Sequence, residues 1–155
     1  METQEKNGSF FRFEDLRVYS KATDYSNWLM ANLRNPDNEM QRCLANSFCH
    51  SSFDIALNIA EGSARSKVQF EHYLKISKTA IRECVVFTSV ATDRGLLDDT
   101  QKEQSRTMLM ELTRMIGALI ISLQRGGSRR SEEDRFEGNE PEEQMDALDS
   151  IDTNF

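Results

Sequence analysis

Cys43-Leu44-Ala45-Asn46-Ser47-Phe48-Cys49-His50-Ser51-Ser52-Phe53-Asp54-Ile55-Ala56-Leu57-Asn58-Ile59-Ala60 is the stretch on which the fold turns. Its only acidic or basic side chain is Asp54, with His50 the sole other titratable group besides the thiols. With Met40 just upstream, Leu44, Phe48, Ile55 and Ile59 recur at helical spacing and predict a core stripe. Cys49, Phe53, Leu57 and Ala60 fall on the other side. A helix with so little charge is expected to be covered on more than one face. Its expected span is Pro36 to Glu61, with Asn35 as the cap, Pro36 in the first turn and Gly62 as a left-handed stop.

Three more helical segments flank it. Upstream, Glu14–Leu33 places Leu16, Tyr19, Ala22, Met30 and Leu33 on one arc. Downstream, Ser66-Lys-Val-Gln69 reads as a capping box for a helix that closes at Gly95. Its main stripe is Phe70, Tyr73, Leu74, Ala80, Ile81, Cys84, Phe87 and Ala91. Thr100-Gln-Lys-Glu103 reads as the box of a fourth helix, which carries Leu109, Leu112, Ile116, Leu119, Ile120 and Leu123 and stops at Gly126-Gly127. Short links make successive helices antiparallel neighbours. The expected fold is therefore all-α: an antiparallel up-down four-helix bundle over residues 13–125, behind a flexible N-terminus, residues 1–12.

Charge divides the chain. Residues 1–125 carry 16 Lys and Arg against 16 Asp and Glu, whereas residues 126–155 carry 3 against 10 and hold the whole net charge of −7. The tail is rich in charge and poor in periodicity, which predicts disorder. Within it, Met145, Leu148 and Ile151 are spaced to make a short amphipathic helix on a protein partner; the plainer alternative is a solubilising tail. The polar N-terminus lacks a signal peptide's apolar stretch, and no apolar run approaches the roughly 20 residues of a spanning helix. These features point to a cytoplasmic protein with no membrane partner. Three cysteines make neither a disulfide framework nor a metal spacing.

Two motifs are specific enough to carry a resemblance. Phe13-Glu-Asp-Leu-Arg-Val-Tyr-Ser-Lys-Ala22 resembles the entry motif of the bacterial four-helix-bundle family known from intervening sequences in large-subunit ribosomal RNA genes. Asn58-Ile-Ala-Glu-Gly62, followed by Arg65, resembles that family's second signature. The likeness spans roughly residues 10–124; the acidic tail is an addition, and relatives commonly have proline where this chain has Ala56. The resemblance implies homopentameric rings and no enzymatic activity. A related branch, the accessory protein of diversity-generating retroelements, is strongly basic and works with nucleic acid and a reverse transcriptase. This chain's neutral body departs from that branch.

The candidate functional residues follow from pattern. Asn58 and Glu61 end the most apolar helix and read as structural polar groups, Asn58 bonding across the bundle and Glu61 pairing with Arg65 or with the opening N–H groups of the third helix. A single carboxylate with no second acid, base or metal beside it argues against catalysis. Cys49 and His50 are adjacent, so on a helix they diverge by about 100°, and with His72 they make no metal site. No cofactor is implied. On the third helix Val68, His72, Ile76, Thr79, Glu83, Val86 and Val90 form a second arc beside the core stripe. Val18, Tyr25 and Leu29 widen the first helix in the same way, and Met110 and Ile121 the fourth. More apolar surface than one core needs predicts self-association, with Val68, Ile76, Val86 and Val90 at the contact. Lys67, Lys75, Lys78 and Arg82 line another strip of the third helix, suited to an RNA or DNA phosphate backbone or simply to solvent. The acidic tail is expected to mask that strip. The reading is a ring-forming, non-catalytic adaptor associated with nucleic acid; the alternative is a protein-binding scaffold.

Overall fold

The computed structural model describes residues 8–134, with side chains described through Gly126. The expectations for residues 1–7 and 135–155 lie outside these limits. A 3-10 turn, Arg12–Asp15, leads into α1 (Arg17–Asn32), followed by α2 (Glu39–Ser63), α3 (Lys67–Asp93) and α4 (Asp99–Asp134). Each helix packs on its chain neighbours, α2 most closely on α3, and α1 closes the bundle against α4. The described residues are helical with no strand.

The helix ends show local chemistry at work. Ser66 caps α3, its side chain accepting from the Gln69 N–H, as the capping pattern predicts. Gly95 has φ +77°, and its neighbours complete a Schellman stop: Leu96 N–H donates to Ala91 O and Gly95 N–H to Thr92 O. Other boundaries differ from expectation. α2 starts at Glu39 under an Asn38 cap, not under Asn35, because Gln41 secures that turn: its N–H donates to Asn38 Oδ1 and its Oε1 accepts from Asp37 N–H. The cap of α4 is Asp98, not Thr100, through the reciprocal pair Gln101 N–H to Asp98 Oδ1 at 2.7 Å and Asp98 N–H to Gln101 Oε1 at 2.9 Å. α4 also continues through Gly126-Gly127 to Asp134.

Gly62 is not a stop either. It lies buried inside α2, where an added Cβ would stand 2.6 Å from Tyr73 Cβ and 2.8 Å from Phe70 Cδ2. It is there for close helix approach, not for a left-handed backbone. α2 runs unbroken through Ala56.

The core is built from Val18, Ala22, Tyr25 and Leu29 of α1, Phe48, Ile55 and Ile59 of α2, Leu74, Ile81 and Cys84 of α3, and Leu109, Leu112 and Ile116 of α4. Val18, Tyr25 and Leu29 are thus the bundle's own interior rather than a second arc, and Met30 and Met40, expected inside, are exposed. Cys43 is exposed as well. At mid-bundle three hydroxyls join three helices: Ser105 Oγ lies 2.9 Å from Tyr25 Oη and 2.7 Å from Thr88 Oγ1, and Thr88 donates to Cys84 O. Burial pushes the Tyr25 phenol well above its ordinary pKa, and the Cys84 thiol likewise.

One pole is closed by the two loops, Leu33–Asn38 and Arg94–Asp98. Arg34 N–H donates to Leu96 O, the Arg34 guanidinium to Gly95 O, and the Gln41 amide to Arg94 O, while Leu96 and Leu97 plug the core. By length and composition alone one segment of α4, Asp99–Gly126, is long and apolar enough to cross a membrane, although Glu111 and Arg114 interrupt its apolar run. Here it supplies the bundle with Leu109, Leu112 and Ile116.

Candidate nucleic-acid interface and assembly surface

α3 has two outward strips. Glu71 marks the side that faces α4, since its carboxylate accepts from the Gln124 amide at 2.8 Å. Lys75, Lys78 and Arg82 follow at intervals of four, seven and eleven residues, so they climb the same side. Lys75 is held to Glu71 at 3.3 Å. Lys67, Lys78 and Arg82 form no ion pair among the described residues. Across the line between the helices, Arg106 and Arg114 of α4 join Ile81, Val85, Met110 and Thr113 around a cleft of about 210 Å³. The α3–α4 face therefore adds two guanidinium groups to the four expected cations. Their spacing with Met110, at i, i+4 and i+8, was legible, but only the rotation of α4 about its axis turns them toward α3.

The second strip is apolar. Val68 is 80 % exposed and Val86 60 %, with Ile76 and Val90 less so. Val90 borders a cleft with Met40 and Leu44, which carries the apolar surface from α3 onto α2. Met110 and Ile121 of α4 are exposed as well, but Met110 lies in the α3–α4 cleft with Arg106 and Arg114. Glu83 reaches back from this strip to accept from Ser51 Oγ of α2.

The polar residues at the end of α2 stand apart from both strips. Asn58 turns its amide to Asp54 O in its own helix instead of bonding across the bundle. Glu61 is exposed and accepts from Nε and a terminal nitrogen of Arg65, which itself lies over the Tyr73 ring. The bond to Glu61 raises the Arg65 pKa further. His50 and His72 each stand edge-on to a neighbouring ring, Phe53 and Tyr73. Among the described residues no three His, Cys, Asp or Glu side chains gather as metal ligands do.

Between α1 and α2 lies a third surface. Phe13, Tyr19, Met30, Phe53 and Leu57 line a groove of about 550 Å³, with Ser26 among them. The Ser26 residue is buried and its Oγ has no hydrogen-bond partner among the described residues. Nothing in the sequence marked Ser26, since a serine's burial depends on what packs around it.

Comparison with known proteins gives one positive finding. A family profile described as 23S rRNA-intervening sequence protein matches residues 14–118. A search of curated proteins returns no match.

Proposed function

The chain belongs to the 23S rRNA-intervening sequence protein family, and from that membership we propose that it is a non-catalytic, ring-forming cytoplasmic adaptor that holds nucleic acid on its α3–α4 face. The observation that carries this reading is that Arg106 and Arg114 line a cleft against Ile81 and Val85 of α3, the helix that carries Lys78 and Arg82, with Glu71 already engaged by Lys75 and Gln124. Guanidinium groups suit phosphate because their planar donors pair with two oxygens at once. Stacking aromatics are missing from the lining of that cleft, so the contact would follow the backbone and not read bases.

Ring formation is supported by the exposed valines of α3 and their continuation through Met40. By family resemblance the ring is a homopentamer. Repeating the basic cleft around it would multiply weak phosphate contacts.

A gel shift with labelled RNA and duplex DNA at low and moderate salt tests the adaptor role. Binding should weaken steeply with salt, each phosphate contact adding roughly −0.9 to the logarithmic slope on duplex DNA. The triple variant Lys75→Gln, Lys78→Gln, Arg82→Gln should lose the shift. If the parent binds neither polymer at low salt, the second reading takes over. That reading is a protein-binding scaffold, and the uncharged α1–α2 groove favours it.

A further inference from the structure

The groove between α1 and α2 and the outer strip of α3 are surfaces of matching chemistry. Phe13, Tyr19, Met30, Phe53 and Leu57 line a concavity without a charged side chain, Leu57 61 % and Met30 50 % exposed. On α3, Val68, Ile76, Val86 and Val90 project from the bundle, with His72 and Thr79 exposed between them. The carboxylate of that strip, Glu83, is turned aside to the Ser51 hydroxyl. On the four helices, Met110 and Ile121 are the only exposed large apolar side chains outside these two surfaces and the Met40 cleft, among the described residues.

Their placement on the bundle decides what a contact between them builds. Among the described residues α1 does not pack on α3, nor α2 on α4, so the four helices stand at the corners of a square. The Glu83–Ser51 bond and the Val90–Met40 cleft put the strip on the side of α3 that faces α2. Groove and strip thus occupy adjacent faces that meet at α2, turned from each other by about 90°. In a closed ring the directions to a protomer's two neighbours differ by about 90° for four copies and about 108° for five. Opposite faces would give an open line instead.

Contacts between α2 and α3 also fix the level of each residue along the bundle. Gly62 meets Tyr73, and the Ser77 hydroxyl donates to Ile55 O, which puts Leu57 level with Ile76. Cyclic symmetry allows no shift along its axis, so in a ring of upright bundles Leu57 of one copy faces Ile76 of the next.

We propose that the α3 strip of one copy seats in the α1–α2 groove of the next, Ile76 against Leu57 with His72 and Thr79 on either side. The contact rests on the ring-forming reading above and specifies it as head-to-tail, closing after about four or five copies. α2 then faces the axis, which accounts for a helix whose only acidic or basic side chain between Cys43 and Ala60 is Asp54. α4 turns outward, and the cleft with Arg106 and Arg114 opens on the rim, where a long polyanion can reach it.

The test uses the full chain with a benzophenone amino acid in place of Leu57. Irradiation should give covalent dimers and larger species on a denaturing gel, joined to residues 68–79 of a second chain. Leu57→Asp and Ile76→Asp, both at exposed positions, should each scatter light as monomers with helical circular dichroism unchanged. Mixed together, the two variants should form dimers and nothing larger, since one intact groove meets one intact strip. A groove-to-groove contact would leave the Ile76→Asp variant associated, and a strip-to-strip contact the Leu57→Asp variant. Either result overturns the proposal while sparing self-association, as does a mixture that stays monomeric or a cross-link outside α3. A parent that is itself a monomer at micromolar concentration removes the ring and this contact together.

Discussion

Two glycines in helix interiors make opposite demands. At Gly62 a methyl group would collide with Tyr73 Cβ, an atom that cannot swing away without moving α3. At Gly117 a methyl group would meet nothing within 4 Å. Gly62→Ala should therefore destabilise by about 1–3 kcal/mol despite alanine's better helix propensity, and Gly117→Ala should stabilise by about 0.5–1 kcal/mol; thermal or urea unfolding measures both. Tyr25 allows a pH test. Its folded pKa is raised above the ordinary 10.0, so the native state keeps a proton that the unfolded chain releases. Stability from this group is fully present below pH 10.0 and falls as pH rises above it. Tyr25→Phe should flatten the alkaline limb of the stability profile, although Cys84, raised from 9.0 in the same sense, leaves part of the slope. At neutral pH the variant should cost about 1 kcal/mol for the bond to Ser105. Asn58→Ala and Glu61→Ala, by contrast, should melt close to the parent, since Asn58 bonds within its own helix and Glu61 is exposed.

Among the elements, α3 was the most legible and α1 the least. Ser66 and Gly95 declare their roles locally, through a side-chain oxygen three residues before a paired N–H and through a backbone only glycine adopts cheaply. Gly62 shows why such signals have a limit: a glycine needed for φ and one needed for space look alike until Tyr73 is set against it. The wrong arc on α1 has a related cause. Val18, Ala22, Tyr25 and Leu29 and the alternative arc through Met30 are both apolar, and only packing against α2 and α4 chooses between them. The cations of α3 could be read from one helix, whereas Arg106 and Arg114 join them by tertiary rotation. The outer face of α3 makes its own prediction. Val86→Glu with Val90→Lys should leave helical circular dichroism intact, since both side chains are exposed, while light scattering reports a fall in mass. A parent that already scatters as a monomer at micromolar concentration would remove the ring.

For the molecule as a whole, three surfaces differ in charge: a cleft on the α3–α4 face that carries Arg106 and Arg114, the exposed valines on the outer side of α3, and the uncharged groove between α1 and α2. Salt should therefore weaken nucleic-acid binding without dissociating the assembly. Light scattering and gel shifts on the same samples between low and moderate salt check this, and a mass that falls together with the shift would tie both to one charged surface. The even number of helices has a further result. The 3-10 turn at Arg12 and the departing end of α4 share one pole, while the opposite pole is sealed by the hydrogen-bonded Arg34–Leu96 and Gln41–Arg94 loops. A cyclic assembly of such protomers, whatever its order, points all of them the same way along its axis. Where the bundles stand along that axis the result is a two-sided disc, with a back made of the two loops and a front that carries the Arg12 turn and the end of the bundle part of α4. A body approaching along the axis meets a different object depending on the side from which it comes.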